Sequence, residues 1–367
     1  MQEIIQRIVD VLILVMASAL ALCTLALLAV HLLKNARGRS MQRIRQQILC
    51  LLNPDEQIEY LRGRVRELLR SGEPVSLRSV RGIRTRRGLQ VLELVSREVT
   101  EREQERLRNA VLDEWYAPYL TRAISKGTCD MALIAEKLLA QLHAEGFTEQ
   151  ICRNFRRWPV DPDVQEIGLL VFFMRGDENT LVQLFTDPNF ALKLSFRTLQ
   201  ELFHCYSGDT GKLCEKLLCS ARDPYVRRAC VRALGQLGDA GCCPLLLPGL
   251  HSENLNFLLE TVRSLGQLRC QEAVEEIRAM TAREPWELRC AAVDALYNIL
   301  GDSAYPEALH CLCDRAWWVR FHAAQALVKM SCRSTMVADV AATGDRYAAD
   351  MVRYMIEREL IRKGGAA

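Results

Sequence analysis

The sequence predicts an all-α chain in which one transmembrane helix precedes an α-solenoid, an array of stacked helix pairs. Three observations predict this class: residues 11–33 contain no charged side chain, apolar residues recur at a constant interval in the second half, and helix-capping signals punctuate the intervening segments. With 367 residues, 50% of them hydrophobic, the chain is long enough for an elongated array and too apolar for a disordered protein.

Residues 11–33 form the predicted transmembrane helix. A helix of 23 residues rises about 34 Å, which is sufficient to cross a hydrocarbon core of about 30 Å. We expect a retained anchor rather than a cleaved signal peptide, because the apolar run continues well beyond the small-residue site at Ala17-Ser18-Ala19. A cleaved signal peptide is the alternative.

The charges on either side of this segment predict its orientation. Lys34, Arg37, Arg39, Arg43 and Arg45 follow it, whereas Arg7 alone precedes it. The positive-inside rule then predicts a single-pass protein of the cell membrane, with residues 1–10 outside and the solenoid in the cytoplasm. The 15 cysteines fit a reducing compartment, because they are odd in number and lack a framework of spacings.

Residues 34–87 are predicted to form basic juxtamembrane helices and a linker, since they contain 14 Lys/Arg and 5 Asp/Glu. The last part of this segment is especially rich in arginine, with Arg78, Arg81, Arg84, Arg86 and Arg87. A solvated basic linker is one interpretation, and contact with anionic lipid or an acidic partner is the other. Nucleic acid is not expected, because no aromatic residues alternate with the arginines.

Residues 88–160 are predicted to be a helical N-terminal cap or degenerate repeats. Thr100 and Glu103 have the spacing of a capping box, and Thr128 or Asp130 is predicted to cap a later helix. A stacked array needs an atypical unit at each end. The amphipathic segment 346–367 is predicted to supply the opposite capping helix and a tail.

Residues 161–345 carry the internal repeat that predicts the solenoid. Two series of apolar residues step by 31: Val226, Phe257, Leu288 and Val319, and Leu234, Leu265, Leu296 and Leu327. Each unit begins with Asp-Pro or an equivalent helix start and turns back through Gly-Asp or a similar pair. Two such helices bury their apolar faces only against a neighbouring pair, so a stack is expected.

The segment DPYVRRACVRALGQLGD at 223–239 resembles the HEAT repeat family, specifically the PBS-lyase-like short HEAT repeats. Cys230 departs from the motif, which usually has Ala there. The resemblance covers about 161–345 and implies a helical solenoid, whereas it says little about function. Some relatives of this repeat variety attach bilin pigments to proteins, but nothing in this chain picks out a bilin site.

No sequence motif for catalysis or phosphate binding is present, so no enzyme activity and no cofactor are expected. The best metal-like group is His310, Cys311, Cys313 and His322. Neighbours within one predicted helix point in different directions, whereas zinc ligands usually come as spaced pairs on turns. We therefore expect core packing rather than a metal site.

Two sets of residues at repeat positions are candidates for binding a protein partner: Trp286, Trp317 and Trp318, and Arg227, Arg289 and Arg320. Exposed tryptophan is enriched at interaction hot spots. We expect one of the two adjacent tryptophans to pack inward and the other to be partly exposed, with burial of all three as the alternative. The arginines are expected to form a ladder with carboxylates or carbonyls between repeats, and direct partner contact is the alternative.

The predicted function is a membrane-tethered scaffold or adaptor. The solenoid would bind a cytoplasmic protein, or the cytoplasmic part of a membrane enzyme, on a face built from the second helices of the repeats. One alternative is an accessory subunit of a membrane glycosyltransferase or polysaccharide system, which rests on a likeness to single-span bacterial proteins. The other is a regulatory module that binds lipid or nucleic acid through the arginine-rich stretch.

Overall fold

The structure is a computed structural model that describes residues 54–71, 73–331 and 333–364. The predicted N-terminus at 1–10, the transmembrane segment at 11–33 and the juxtamembrane segment up to residue 53 lie outside the described residues. Within the described ranges all regular elements are helices, which confirms the all-α class there. None of the helices described is both long and apolar enough to cross a membrane.

The described residues form two compact units that divide between Leu120 and Thr121. The first unit contains α1 (Pro54–Arg70), α2 (Arg86–Ser96), α3 (Glu101–Val111) and the start of α4 (Ala117–Lys126). Helix α1 packs against α2 and α3, and its buried stripe consists of Leu61, Val65 and Leu69. The predicted capping box at the start of α3 is confirmed, because Thr100 and Glu103 each bond to the backbone N–H of the other.

The second unit alternates first helices, which stack on one another, with second helices, which return the chain. The first helices are α5 (Cys129–Gln141), α7 (Pro162–Arg175), α9 (Phe196–His204), α11 (Pro224–Leu237), α13 (Leu255–Gln267), α15 (Trp286–Leu300), α17 (Trp317–Lys329) and α19 (Arg346–Gly364). The second helices are α6 (Thr148–Arg157), α8 (Glu178–Thr186), α10 (Thr210–Ser220), α12 (Cys243–Leu246), α14 (Val274–Met280), α16 (Tyr305–Leu312) and α18 (Arg333–Ala342). From α5 to α19 each first helix packs against the next one.

Four consecutive first helices keep the predicted spacing of the repeat, since α11, α13, α15 and α17 begin at 224, 255, 286 and 317. Asp223 caps α11 by accepting a hydrogen bond from the N–H of Tyr225, and Pro224 occupies the first helical position. Helices α13 and α15 approach closely at Gly266, where a Cβ atom would lie 2.8 Å from the Cα of Ala295. A side chain there would separate the two helices, which explains the glycine.

The spacing is irregular before α11, where the sequence repeat is also weakest. Helix α8 ends at Thr186, and Asp187 forms its C-cap instead of starting a new helix. The next first helix, α9, begins only at Phe196, where Ser195 caps it by accepting from the N–H of Thr198. The additional loop residues account for the slipped register around Asp187-Pro188. Farther back, Thr128 rather than Asp130 caps α5.

Candidate functional site

A row of exposed large apolar side chains lies at the beginnings of five consecutive first helices of the second unit. Each member occupies the first or second residue of α11, α13, α15, α17 or α19. We call this row the apolar edge, and it consists of Tyr225, Leu255, Trp286, Trp317, Trp318 and Tyr347. Neighbouring helix axes are about 10 Å apart, so four steps give a row of about 40 Å.

Three tryptophans and a phenylalanine form an aromatic cluster in the middle of the apolar edge. The ring centres of Trp286 and Trp318 are 6.5 Å apart with a 20° interplanar angle, which links the starts of α15 and α17. Trp317 meets Trp318 edge-on at 4.7 Å and stacks on Phe321 at 5.3 Å. The exposed rings thus hold one another in fixed orientations, which lowers their side-chain conformational entropy.

A cavity of about 510 Å³ opens beside this cluster, between the beginnings of α17 and α19. Its lining combines apolar and charged side chains: Arg315, Trp317, Arg320, Tyr347, Asp350, Met351 and Tyr354. This volume lies within the usual range for a binding pocket. A smaller cavity of about 120 Å³ lies at the other end of the edge, where the beginnings of α11 and α13 meet.

The expectation that one of the adjacent tryptophans packs inward was wrong, and so was the alternative that all three are buried. Trp286, Trp317 and Trp318 are 40%, 52% and 50% exposed. Each lies in the first turn of its helix, beyond the point at which neighbouring first helices enclose a side chain. The sequence analysis placed the binding face on the second helices, whereas all six residues of the apolar edge lie on first helices. Within the described part of this unit, Val337 is the one large apolar residue of a second helix with an exposed side chain.

Arg289 and Arg320 form the predicted ladder between consecutive repeats. The guanidinium of Arg289 donates to both carboxylate oxygens of Asp314, at 2.7 and 2.8 Å, and to the carbonyls of Arg283 and Glu284. One repeat later, Arg320 pairs with Asp345 at 2.8 Å. The interval in sequence from arginine to carboxylate is the same in both pairs, so the two rungs are equivalent.

The rung between α15 and α17 is the more deeply buried of the two, because Arg289 is only 5% exposed. Burial by itself would raise the pKa of Asp314, but hydrogen bonds from Arg289 and from the N–H of Ala316 outweigh it and hold this pKa below its usual range. The hydrogen bond to Asp314 in turn raises the pKa of Arg289. Both groups therefore remain charged at neutral pH and stabilise one another.

Arg227 occupies the corresponding position in α11 but makes a different contact. Ser252 stands where the later repeats have a carboxylate, and no ion pair of Arg227 is found in the described part of the chain. Its guanidinium carbon lies 5.2 Å from the ring centre of Phe257. Arg227 is exposed beside the apolar edge, so it is the one of the three predicted arginines that remains accessible to a partner.

The arginine-rich stretch lies in the first unit, in the loop between α1 and α2 and the first turn of α2. Residues 74–87 contain five arginines and no carboxylate, and all five side chains are exposed: Arg78, Arg81, Arg84, Arg86 and Arg87. Arg84 lies 3.8 Å over the ring of Trp115, and Arg87 donates a hydrogen bond to Gln57. These contacts hold part of the stretch in place while leaving its charge facing solvent.

The metal-like group noted in the sequence does not come together. His322 pairs with Asp294 at 2.8 Å, while Cys311 is buried and Cys313 exposed. A different group does converge, and the sequence did not predict it: Cys243, Cys270 and Glu272.

The apolar edge was also only partly predicted, because Tyr225, Leu255 and Tyr347 were not among the candidates although they share the first-turn position of the tryptophans.

Comparison with known protein families gives one match. Residues 212–296 match the family of HEAT repeats. The match confirms the resemblance to HEAT repeats for that part of the chain, which includes the whole of α11, α12, α13 and α14. Comparison with curated proteins found no match.

Solved structures similar to this chain include two engineered proteins from the Northeast Structural Genomics Consortium. One is 16% identical, with a TM-score of 0.33, and the alignment covers 85% of this chain and 98% of that one. The other is 17% identical, with a TM-score of 0.26, and covers 66% and 96%. At these TM-scores neither likeness contributes to the fold assignment, which depends on the helix pairs and the family match.

Proposed function

We propose that this chain is a scaffold that binds a protein partner along the apolar edge. The observation that carries the proposal is the recurrence of exposed large apolar residues at the beginnings of five consecutive first helices. A row of about 40 Å suits an extended or helical segment of a partner. Aromatic side chains held in place by their neighbours, with arginines close by, have the composition of interaction hot spots.

The cavity between α17 and α19 is the proposed anchoring point of the partner. It offers an apolar surface from Trp317, Tyr347 and Tyr354 for a buried side chain. Arg315 and Asp350 at its rim supply charges of both signs that orient polar groups. The arrangement of an apolar centre with a polar rim is the usual anatomy of a protein interface.

The proposal is tested by quantitative co-purification of the full chain in mild detergent. A triple variant, Trp317→Ala with Trp318→Ala and Tyr347→Ala, should lose the proteins that accompany the unmodified chain, because it removes the apolar centre. A photo-crosslinking residue placed at Trp286 should attach to the same proteins. All these side chains are exposed, so their replacement should leave the helix content unchanged.

The matched control removes three exposed apolar side chains that lie away from the edge, by Val160→Ala, Leu237→Ala and Val337→Ala. This variant should keep the same accompanying proteins. The proposal fails if the edge variant retains them at the unmodified level. It also fails if the control loses them equally, since general surface hydrophobicity would then account for the association.

We further propose that residues 11–33 tether this scaffold to the cell membrane, with the solenoid in the cytoplasm. The length and lack of charge of that segment support the tether, and the basic residues that follow it support the orientation. A tether raises the local concentration of partners at the bilayer, so a membrane enzyme fits such a scaffold. Carbonate extraction of membranes, with protease protection of the C-terminal part, tests both statements.

The arginine-rich stretch supports a second candidate function, binding of the anionic headgroups of the membrane surface. Five exposed arginines without an intervening carboxylate supply the charge that such binding requires. Sedimentation with vesicles containing phosphatidylserine should fall for a variant with Arg81→Ala, Arg86→Ala and Arg87→Ala. The control replaces exposed arginines elsewhere in the same unit, Arg70, Arg97 and Arg102. Equal sedimentation of both variants would remove this candidate.

A further inference from the structure

Two buried cysteines and one glutamate converge between consecutive repeats of the second unit. Cys243 begins α12, whereas Cys270 and Glu272 belong to the short turn that leads into α14. One ligand atom from each residue, two sulfurs and a carboxylate oxygen, lies within 4.8 Å of the other two. Both thiols are buried and Glu272 is exposed, so the group opens to solvent on its carboxylate side.

The turn that carries Cys270 differs from its counterpart one repeat earlier. Asp239 holds the equivalent position there and caps its own turn by accepting a hydrogen bond from the N–H of Gly241 at 2.9 Å. Cys270 occupies the same capping position but makes no capping hydrogen bond. Its thiol instead faces the carboxylate of Glu272, with 3.3 Å between sulfur and oxygen. A backbone cap has thus been replaced by a thiol and carboxylate pair.

From this geometry we propose that Cys243, Cys270 and Glu272 bind Zn²⁺. Bond lengths of about 2.3 Å to sulfur and about 2.1 Å to oxygen give a tetrahedral site a sulfur–sulfur distance of about 3.8 Å and a sulfur–oxygen distance of about 3.6 Å. The distance of 3.3 Å between the sulfur of Cys270 and the oxygen of Glu272 is already close to the sulfur–oxygen value. The other two separations are at most 4.8 Å, so they need a contraction of at most about 1.2 Å, which rotation of the side chains can supply.

Zinc suits this donor set better than other common ions. Two thiolates favour a soft or borderline ion, whereas Ca²⁺ and Mg²⁺ require oxygen ligands throughout. Binding forms two zinc–sulfur bonds and one zinc–oxygen bond and releases the two thiol protons to solvent. Three protein ligands leave a fourth position that water, or a donor from a partner, can fill.

The ion would join neighbouring repeats by coordination. Cys243 belongs to the repeat that begins with α11, and Cys270 and Glu272 belong to the repeat that begins with α13. Because an ion that binds the folded state alone stabilises that state, added zinc should raise the midpoint of thermal unfolding. The site is separate from the apolar edge, so its loss should leave partner binding along the edge intact.

The test uses the full chain in mild detergent with a reductant that contains no thiol. After removal of metal by a chelator, Zn²⁺ is titrated in competition with a chromophoric chelator, and Co²⁺ is added separately to detect thiolate charge-transfer absorption. We expect one zinc per chain and a charge-transfer band. Cys270→Ser should abolish both, and Glu272→Gln should weaken zinc affinity by about tenfold or more.

Two further variants keep the result decisive. Cys290→Ala with Cys311→Ala removes two cysteines that are also buried but lie outside the group, so this control should bind zinc normally. Glu272 is exposed, so Glu272→Gln should remain folded even if Cys270→Ser does not. Unchanged affinity in folded Glu272→Gln would overturn the proposal. Equal zinc content in Cys270→Ser and the unmodified chain would do so too, because it indicates an adventitious ion only.

Discussion

The interface between α11 and α13 and the interface between α15 and α17 belong to one stack, yet they are stabilised differently. At the first, Asp223 and Asn254 cap their helices, and Arg227 lies over Phe257. At the second, the capping positions hold Pro285 and Ala316, which make no side-chain capping bond. A buried ion pair between Arg289 and Asp314 joins the neighbours at this turn. The ion pair of the first interface, between Arg232 and Glu260, lies farther along its two helices.

The difference shows how a repeat can change its first turn without losing its place in the stack. Asp314 lies just before the capping position of α17, where it accepts from Arg289 and also from the N–H of Ala316. The ion pair therefore takes over stabilisation that a cap provides at the other interface. Among the first helices from α5 to α17, the two that lack a capping side chain are α15 and α17, which carry Trp286, Trp317 and Trp318.

The largest expected effect comes from breaking the ion pair. Arg289→Ala leaves Asp314 charged and partly buried without its partner, which should lower the free energy of unfolding by about 3 kcal/mol or more. Arg227→Ala removes an exposed side chain from the equivalent position and should change it by about 0.5 kcal/mol or less. Thermal unfolding followed by circular dichroism measures both, and equal shifts would contradict the proposed difference between the interfaces.

A pH dependence should distinguish the ion pair from a buried acid near the start of the stack. Burial raises the pKa of Glu136 to about 8, although its hydrogen bond from Asn154 works in the opposite direction. Folding therefore favours the protonated form of Glu136. Its contribution to the free energy of unfolding is fully present below the pKa of Glu136 in the unfolded chain, and it is lost as pH rises towards 8. Asp314 has a lowered pKa, so its contribution is lost only as pH falls into the acidic range.

Glu136→Gln tests this sign. At about pH 8.5, just above the pKa of Glu136, the variant should be more stable than the unmodified chain by an amount on the order of a few kcal/mol. The gain should shrink as pH is lowered to about 5, where most of Glu136 is neutral in the folded state. Unfolding midpoints across this range supply the measurement, and a gain independent of pH would contradict the assignment.

A smaller effect is expected at the helix contact that lies between the two interfaces. Gly266→Ala places a methyl group 2.8 Å from the Cα of Ala295, so α13 and α15 must move apart, at a cost of about 1–3 kcal/mol. Gly63→Ala in α1 is the matched control. Nothing lies within 4 Å of the position that its Cβ would take, so the better helix propensity of alanine should stabilise α1 by up to about 1 kcal/mol.

The smallest expected effects come from exchanging the caps. Asp223→Ala should destabilise the chain by about 1 kcal/mol, because the N–H of Tyr225 loses its acceptor. Ala316→Ser should stabilise it by up to about 1 kcal/mol, since α17 has no side-chain cap. Opposite shifts in the midpoint of chemical unfolding would support the comparison. Loss of stability in Ala316→Ser would show that Asp314 already satisfies this helix end.

The regular part of the stack was predictable because its signals are local and repeated. Apolar residues at a constant interval predicted α11, α13, α15 and α17, and the Asp-Pro pair predicted the start of α11. The recurring arginines predicted the ladder. The loop before Phe196 was not predictable in the same way, since extra loop residues leave no periodic signal. The orientations of Trp317 and Trp318 depend on how closely neighbouring helices approach, which the sequence pattern does not specify.

The converging group of Cys243, Cys270 and Glu272 illustrates the same distinction. The intervals between its members in the sequence are unequal, and neither matches the period of the repeat. They meet because a short helix of one repeat lies beside the turn of the next, and this packing follows from the stack rather than from a motif. The group therefore lacks the paired cysteines on turns that usually indicate a zinc site in a sequence.

Each first helix packs chiefly against its immediate neighbours in the stack, and this makes the length of the apolar edge adjustable in discrete steps. Duplicating one whole repeat between α13 and α15 would lengthen the apolar edge by about 10 Å while leaving the flanking helix contacts similar. Under the proposed function, gene duplication or deletion would match the edge to longer or shorter partner segments. The length of the row of exposed side chains therefore changes in units of one whole repeat.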